Sequence, residues 1–265
     1  MAEPMKRILS EKLGSFLIRE GLQELEVELR KISGDLKVDI MELEASGSGW
    51  VSIEYSGDDS EVFTEALKRR YGFAPVEFSR LAVGDIYRGF ITDSGRVGFG
   101  LYLDIGVMSP SRLDGLYPLH RMRAQLADGS SQPLRQILRR LGLHDGLPLD
   151  VRIEELAGTG KMTLALTDKQ ESCFKDWERY PFDRVIVVGS LLRKVHAAIR
   201  KSGLEGDILG VERLSLTVHI LTCKLGTEAP GVIAKLGRHL STARLYPFIP
   251  RWRIQTEKAV EAGRI

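Results

Sequence analysis

Apolar positions recur along the first eighty residues with two alternating periods. Ile8 and Leu9 suit a short strand, and Phe16, Leu17, Leu22, Leu25 and Leu29 then fall at helical spacing as far as Ser33-Gly34. Leu36, Val38, Ile40 and Leu43 alternate with charged residues, the period of a half-buried strand. A second strand, Trp50-Val51-Ser52-Ile53-Glu54-Tyr55, follows the Gly/Ser turn at 46–49. The stretch from Asp59 to Arg70 opens on acids, closes on bases and meets Gly72, which is the charge order and the stop signal of a helix. With Pro75 to Arg80 as a last strand the order is βαββαβ, a ferredoxin-like order, for a first domain at residues 1–81.

The texture changes over 82–168. Short strands separated by glycines, GDIYRGFI, GFGLYLDIG, LDGLYPL, LPLDVRIEEL and KMTLALT, suit a small Greek-key barrel. Its one longer connection holds a helix behind Pro133, with Leu134, Ile137, Leu138 and Leu141 as the apolar stripe and Gly142 as its end. The segment 169–265 opens with a connecting helix near Lys169 to Tyr180 and then repeats the first order. Strands are expected at Arg184 to Val188, Asp207 to Glu212, Leu216 to Thr222 and Arg244 to Ile249, with helices at Leu191 to Lys201 and Ala229 to Leu240. The tail after Trp252 suits either a helix or a frayed end. The expected fold class is thus α+β, a central barrel between two ferredoxin-like domains.

The middle segment resembles the S1 RNA-binding domain. The residues that carry the resemblance are Gly84-Asp85 with Gly89, then Phe99-Gly100-Leu101-Tyr102-Leu103-Asp104, Gly115-Leu116, and Leu149 to Ile153. The whole chain also resembles an archaeal family of unknown function with an S1-like centre and a C-terminal segment of the type CKLGTEAPGVIAKLG, here residues 223–237. The resemblance implies an S1-like oligonucleotide-binding (OB) barrel and RNA as ligand; no cofactor is expected. Where S1 domains carry a histidine shortly after the third-strand Gly-Leu pair, this chain has Tyr117-Pro118, and His120 arrives later. A proline donates no ladder hydrogen bond, so the third strand ends there or lies at an edge.

Alternation along the second strand sends Leu101, Leu103 and Ile105 into the barrel and leaves Tyr102 and Asp104 outside. A bulge at Gly100 would bring Phe99 onto the face of Tyr102, giving two rings on which neighbouring bases could stack. The plainer alternative has Phe99 closing the core and Tyr102 capping the rim. Arg88 on the first strand is a candidate phosphate contact. Arg121, Arg123, Arg135, Arg139 and Arg140 meet only Asp128 between residues 121 and 142, so they suit either RNA contacts or a solvated face.

Charge sharpens this picture. The net value of +2 conceals a segment, residues 20–62, with twelve acids and three bases, against 31 bases and 22 acids from residue 63 onward. A polyanion partner suits only the later part. In that part Cys223 to Gly231 runs from a strand into a helix. Lys224, Gly226 and Thr227 there form a candidate anion site, the alternative being that Thr227 caps the helix and Pro230 begins it. Lys235, Arg238, Arg244, Arg251 and Arg253 meet no acid between 229 and 256. In the first domain, Gly47 to Ile53 faintly resembles the aromatic strand of RNA-recognition motifs, but among acids it better suits packing or a protein contact.

The remaining signals exclude more than they assert. The longest apolar stretch, around Val185 to Leu192, is far short of the roughly 20 residues of a membrane span. The N-terminus lacks the continuous apolar run of a secretory signal. Cys173 and Cys223 show no pairing or metal spacing with each other or with the five histidines, which suits a cytoplasmic chain with reduced thiols. No catalytic constellation stands out. The expected function is a non-enzymatic RNA-binding accessory protein; a scaffold docking onto the ribosome or RNA polymerase is the alternative.

Overall fold

The computed structural model describes residues 3–158 and 160–250, so the tail after Trp252 lies outside it. The first unit runs β1 (Met5–Lys12), a 3-10 turn at Ser15–Leu17, α1 (Ile18–Ser33), β2 (Asp39–Ala45), β3 (Trp50–Ser56) and α2 (Ser60–Tyr71). Its antiparallel sheet has the order β1-β3-β2. Leu25 and Leu29 of α1 and Phe63 and Leu67 of α2 are buried with Leu9, Val51, Ile53 and Tyr55 of the sheet.

The last strand expected at Pro75 to Arg80 is not part of this sheet. The chain pairs with β1 only through the bridge Leu9–Phe73, where Ser10 N–H donates to Gly72 O (3.0 Å) and Ala74 N–H to Ile8 O (2.9 Å). Val76, whose N–H would come next in that ladder, adopts φ +64° and leaves it. The two-residue β4 (Val76–Glu77) instead pairs in parallel with the barrel, and Phe78–Arg80 forms a 3-10 turn.

The barrel consists of β5 (Ile86–Thr92), β6 (Gly100–Ser109), β7 (Leu113–Pro118), α3 (Leu119–Leu126), α4 (Leu134–Leu141), β8 (Pro148–Ala157) and β9 (Lys161–Leu166). Following the pairings, β5-β6-β7-β9-β8 closes back onto β5, with β7 and β9 parallel and the other pairs antiparallel. The third strand ends at Pro118, where α3 begins at Leu119. Helix α3 was not anticipated from the sequence.

Next come α5 (Asp168–Arg179), β10 (Arg184–Val188), α6 (Leu192–Lys201), β11 (Ile208–Ser215), β12 (Val218–Cys223), α7 (Ala229–Leu236) and β13 (Arg244–Phe248). The helix expected to reach Leu240 stops at Leu236, before Gly237. The sheet is antiparallel in the order β11-β12-β10-β13. Alternation along β10 sends Val185 and Val187 towards α6 and α7, while Ile186 and Val188 join Val218, Ile220 and Phe248 in a core shared with the barrel, α4 and α5. Both faces of this sheet are therefore covered. Among the described residues no helix is long and apolar enough to cross a membrane.

The first unit is fixed to the rest partly through buried polar groups. Glu11 of β1 is almost completely buried, and its Oε2 accepts the Leu216 N–H at 2.8 Å. Burial pushes its carboxyl up to about 7, with the Leu216 N–H and the charges of Arg88 and Arg213 pulling the other way. Stability from this group is full below about pH 4.5 and is lost as pH rises through about 7. His219, buried on β12, does the reverse: burial lowers it to about 4, so its contribution is lost as pH falls below about 6.5. Glu11→Gln keeps an acceptor for Leu216 but cannot ionise. Thermal melts should show the variant's stability relative to the wild type rising between about pH 5 and pH 8, by roughly 3 kcal/mol. A difference independent of pH would mean that Glu11 is ionised throughout.

Candidate nucleic-acid interface

Leu101, Leu103 and Ile105 point into the barrel and are buried, so the outer face of β6 carries Tyr102 and Asp104. Ladder register places Tyr102 between Thr92 of β5 and Leu116 of β7. Phe99, just before β6, is 54% exposed and does not enter the core. Its ring meets that of the half-buried Tyr102 edge to face, with centroids 6.5 Å apart and planes at 81°. Phe99 O accepts the Leu119 N–H (2.7 Å), which ties the start of α3 to the Phe99 backbone; His120, the next residue of α3, is exposed.

The two rings come together without a bulge at Gly100, which pairs regularly with Pro118. Glycine is needed there for closeness, since a Cβ would lie 2.5 Å from Tyr117 O. The irregularity falls between Leu103 and Val107, where Gly106 adopts φ +90° beneath Ala74 and Trp50 of the first unit.

Asp104 lies outside the barrel but is almost completely buried, because the first unit covers it. Lys12 Nζ (2.7 Å), Trp50 Nε1 (3.1 Å) and Arg112 Nη2 (2.9 Å) donate to its Oδ2, and the Gly106 N–H (2.9 Å) to its Oδ1. Burial alone would raise this carboxyl; Lys12 and the other donors outweigh it and hold it below the usual carboxylate range. The Trp50 ring packs edge to face on Phe90, with Lys12 over it. Trp50, in the stretch with a faint RNA-recognition signature, is thus a buried contact between units.

The structure separates the candidate bases. Arg88 lies between Asp150 (3.5 Å) and Glu11 (4.0 Å), away from the ring pair's ladder neighbours. Arg121 pairs with Glu154 (2.7 Å), and Arg123 Nε donates to Gln132 O (2.9 Å) to brace the link between α3 and α4. Arg140 turns inward, pairing with Glu178 of α5 and donating to Leu126 O. Arg135 and Arg139 are exposed on the outer side of α4, and neither has an ion-pair partner among the described residues.

The acidic front segment has internal partners. Glu20 and Glu24 of α1 pair with Arg193, Glu20 also with Lys194, and Glu28 with Arg213. Part of the charge division is therefore spent within the chain. The Lys194 hydrogen bond is the main reason that the Glu20 carboxyl sits below its ordinary value.

At the candidate anion site, Lys224 and Gly226 are exposed, and Thr227 N–H donates to Lys224 O. Thr227 is not the cap: Glu228 holds the N-cap position without a side-chain cap, and the Ala229 N–H is taken by the Asp183 carboxylate (2.9 Å). An internal anion thus already sits at this helix start. Arg251 and Arg253 lie outside the described residues.

The family model of the DUF2110 central domain matches residues 81–178, and that of the DUF2110 C-terminal domain matches residues 182–246. The two matches together take in more than half of the chain. It belongs to the DUF2110 family. Phe99, Tyr102 and Asp104 fall within the DUF2110 central domain, whereas Lys12 and Trp50, which grip Asp104, lie before both matches. No curated protein matches the chain.

Neighbouring arginines on α4 should behave oppositely. Arg140→Ala leaves Glu178 and the Leu126 carbonyl poorly satisfied in a largely buried place and should cost about 2 kcal/mol or more in chemical denaturation. Arg139→Ala should stay within about 0.5 kcal/mol of the wild type. Equal effects would refute the inward placement of Arg140.

Proposed function

We propose that this DUF2110 chain is a non-enzymatic, cytoplasmic RNA-binding accessory protein in which an S1-like OB barrel, flanked by a three-stranded α/β unit and a ferredoxin-like C-terminal unit, binds single-stranded RNA. The observation that carries the reading is the ring pair, Phe99 and Tyr102, offered on the outer face of a closed five-stranded barrel. OB barrels bind oligonucleotides on the corresponding strands, and bases stack on such rings whatever their sequence. Edge-to-face rings cannot both lie parallel to one base, so each serves a different nucleotide or one turns on binding. Of the five arginines between residues 121 and 142, Arg135 and Arg139 are exposed and have no ion-pair partner among the described residues, which leaves them available to phosphates. The flanking sheets are less suited: the faces of the C-terminal sheet are covered, and Glu42, Glu44 and Glu54 lie on strands of the N-terminal one.

A protein-docking scaffold, for a machine such as the ribosome or RNA polymerase, is the second reading. Leu209 on edge strand β11 and Leu225 in the loop after β12 favour it, being 57% and 63% exposed. Salt dependence separates the two. Fluorescence anisotropy with labelled single-stranded RNA should give an affinity that falls with salt, and Arg135→Ala or Arg139→Ala should each flatten that slope by about one unit if the residue contacts a phosphate. Tyr102→Ala should weaken binding by roughly 1 to 3 kcal/mol with little change in Tm. Weak, salt-insensitive binding that Tyr102→Ala leaves unchanged would reject the RNA reading.

A further inference from the structure

The three units meet around a cleft of about 720 Å3, within the range of small-ligand sites. Its barrel side, with Phe90, Thr92 and Asp114, continues the face that carries the ring pair, since Thr92 is the ladder partner of Tyr102. The other walls come from the segment after β1 in the first unit and from Gly189, Thr217 and Arg244 in the last.

Three kinds of chemistry line this space. Phe16 is a large ring left 59% exposed, and its edge lies against bare backbone: a Cβ on Gly189 would be 3.6 Å from its Cζ. Arg112 and Arg244 border the same cleft with donors in hand. Arg112 uses Nη2 on Asp104 with its side chain still 51% exposed, and Arg244 uses Nη2 on Asp145 O (3.1 Å), out of five N–H donors on each guanidinium. Asp114 supplies acceptors. Its Oδ2 takes the Thr92 hydroxyl (3.0 Å), while its buried Oδ1 has no hydrogen-bond partner among the described residues. Burial and then the neighbouring Asp104 push this carboxyl up.

We propose that the cleft takes one nucleotide, with its phosphate on Arg112 and Arg244, its base against Phe16 and a base N–H directed to Asp114. A guanidinium pair matches phosphate oxygens, and a flat ring matches a base. A carboxyl acceptor suits bases that present amino or imino donors. The proposal deepens the RNA reading and rests on it for the choice of ligand: a strand crossing Tyr102 would deliver its end, or a turned-out nucleotide, to the cleft.

The test is calorimetric titration of the full chain with guanosine and adenosine 5′-monophosphates, and with guanosine and inorganic phosphate as partial probes. Phe16→Ala and Arg244→Ala replace exposed side chains, and their melting curves verify folding. At least one monophosphate should bind saturably, each partial probe should bind about tenfold or more weakly, and each variant should weaken the monophosphate by about tenfold or more. Failure of both monophosphates to bind a chain that binds single-stranded RNA overturns the cleft and leaves the RNA reading standing. Monophosphate binding unchanged in both variants overturns its location. Binding lost in the variants, by a chain that does not bind RNA, supports the cleft and overturns the RNA reading alone.

Discussion

A buried carboxylate must be surrounded by donors, and Asp104 recruits them from two units. Lys12 and Trp50 reach it from the first unit, Arg112 and the Gly106 N–H from the barrel itself. Desolvating that charge without them would cost several kcal/mol, so the first unit is bound to a particular place on the barrel. The bulge at β6 and the bare Gly106 let Trp50 and Ala74 approach closely enough to close the shell. The ring pair remains uncovered beyond that shell, and the three-unit cleft opens beside it. Both candidate sites therefore take their boundaries from one acid.

The first unit is held in a different manner from the last. The barrel and the C-terminal sheet share one apolar core, through Ile186, Val188, Val218, Ile220 and Phe248. The first unit adds Leu216 to its own core and packs Trp50 and Ala74 against Phe90 of the barrel, and it also meets the remainder through carboxylates: Glu11 on the Leu216 amide, Glu20 and Glu24 on Arg193, and Glu28 on Arg213. Such contacts respond to pH and salt in a way that an apolar core does not. The acidic front therefore does more than repel a polyanion; it also partners bases of the last unit.

Much of the architecture was legible because strands and helices imprint their periods. Leu101, Leu103 and Ile105 announced the inside of β6, and Leu134, Ile137, Leu138 and Leu141 the buried side of α4. Helix α3 escaped because its interior buries Met122 and Leu126 amid bases, too few residues for a stripe. The pairing of Phe99 with Tyr102 was readable, though through a bulge at Gly100 that the structure lacks, and the exclusion of Phe99 from the core was not, since an aromatic beside a glycine fits either place. Arg139 and Arg140 look alike in sequence, yet about 100° of helical rotation separates them, and only Arg140 reaches Glu178. Lys12 and Asp104 are 92 positions apart, and no local pattern could join them.

The order β1-β3-β2 leaves β2 at the rim of the first sheet, with backbone groups free to accept another strand. Such a rim invites chains to add on one after another. Asp39, Glu42 and Glu44 occupy this one, and Met41 is its exposed apolar side chain. Two molecules meeting there would bring acid against acid, so the residues that give this unit its negative charge also guard the chain against edge-to-edge association.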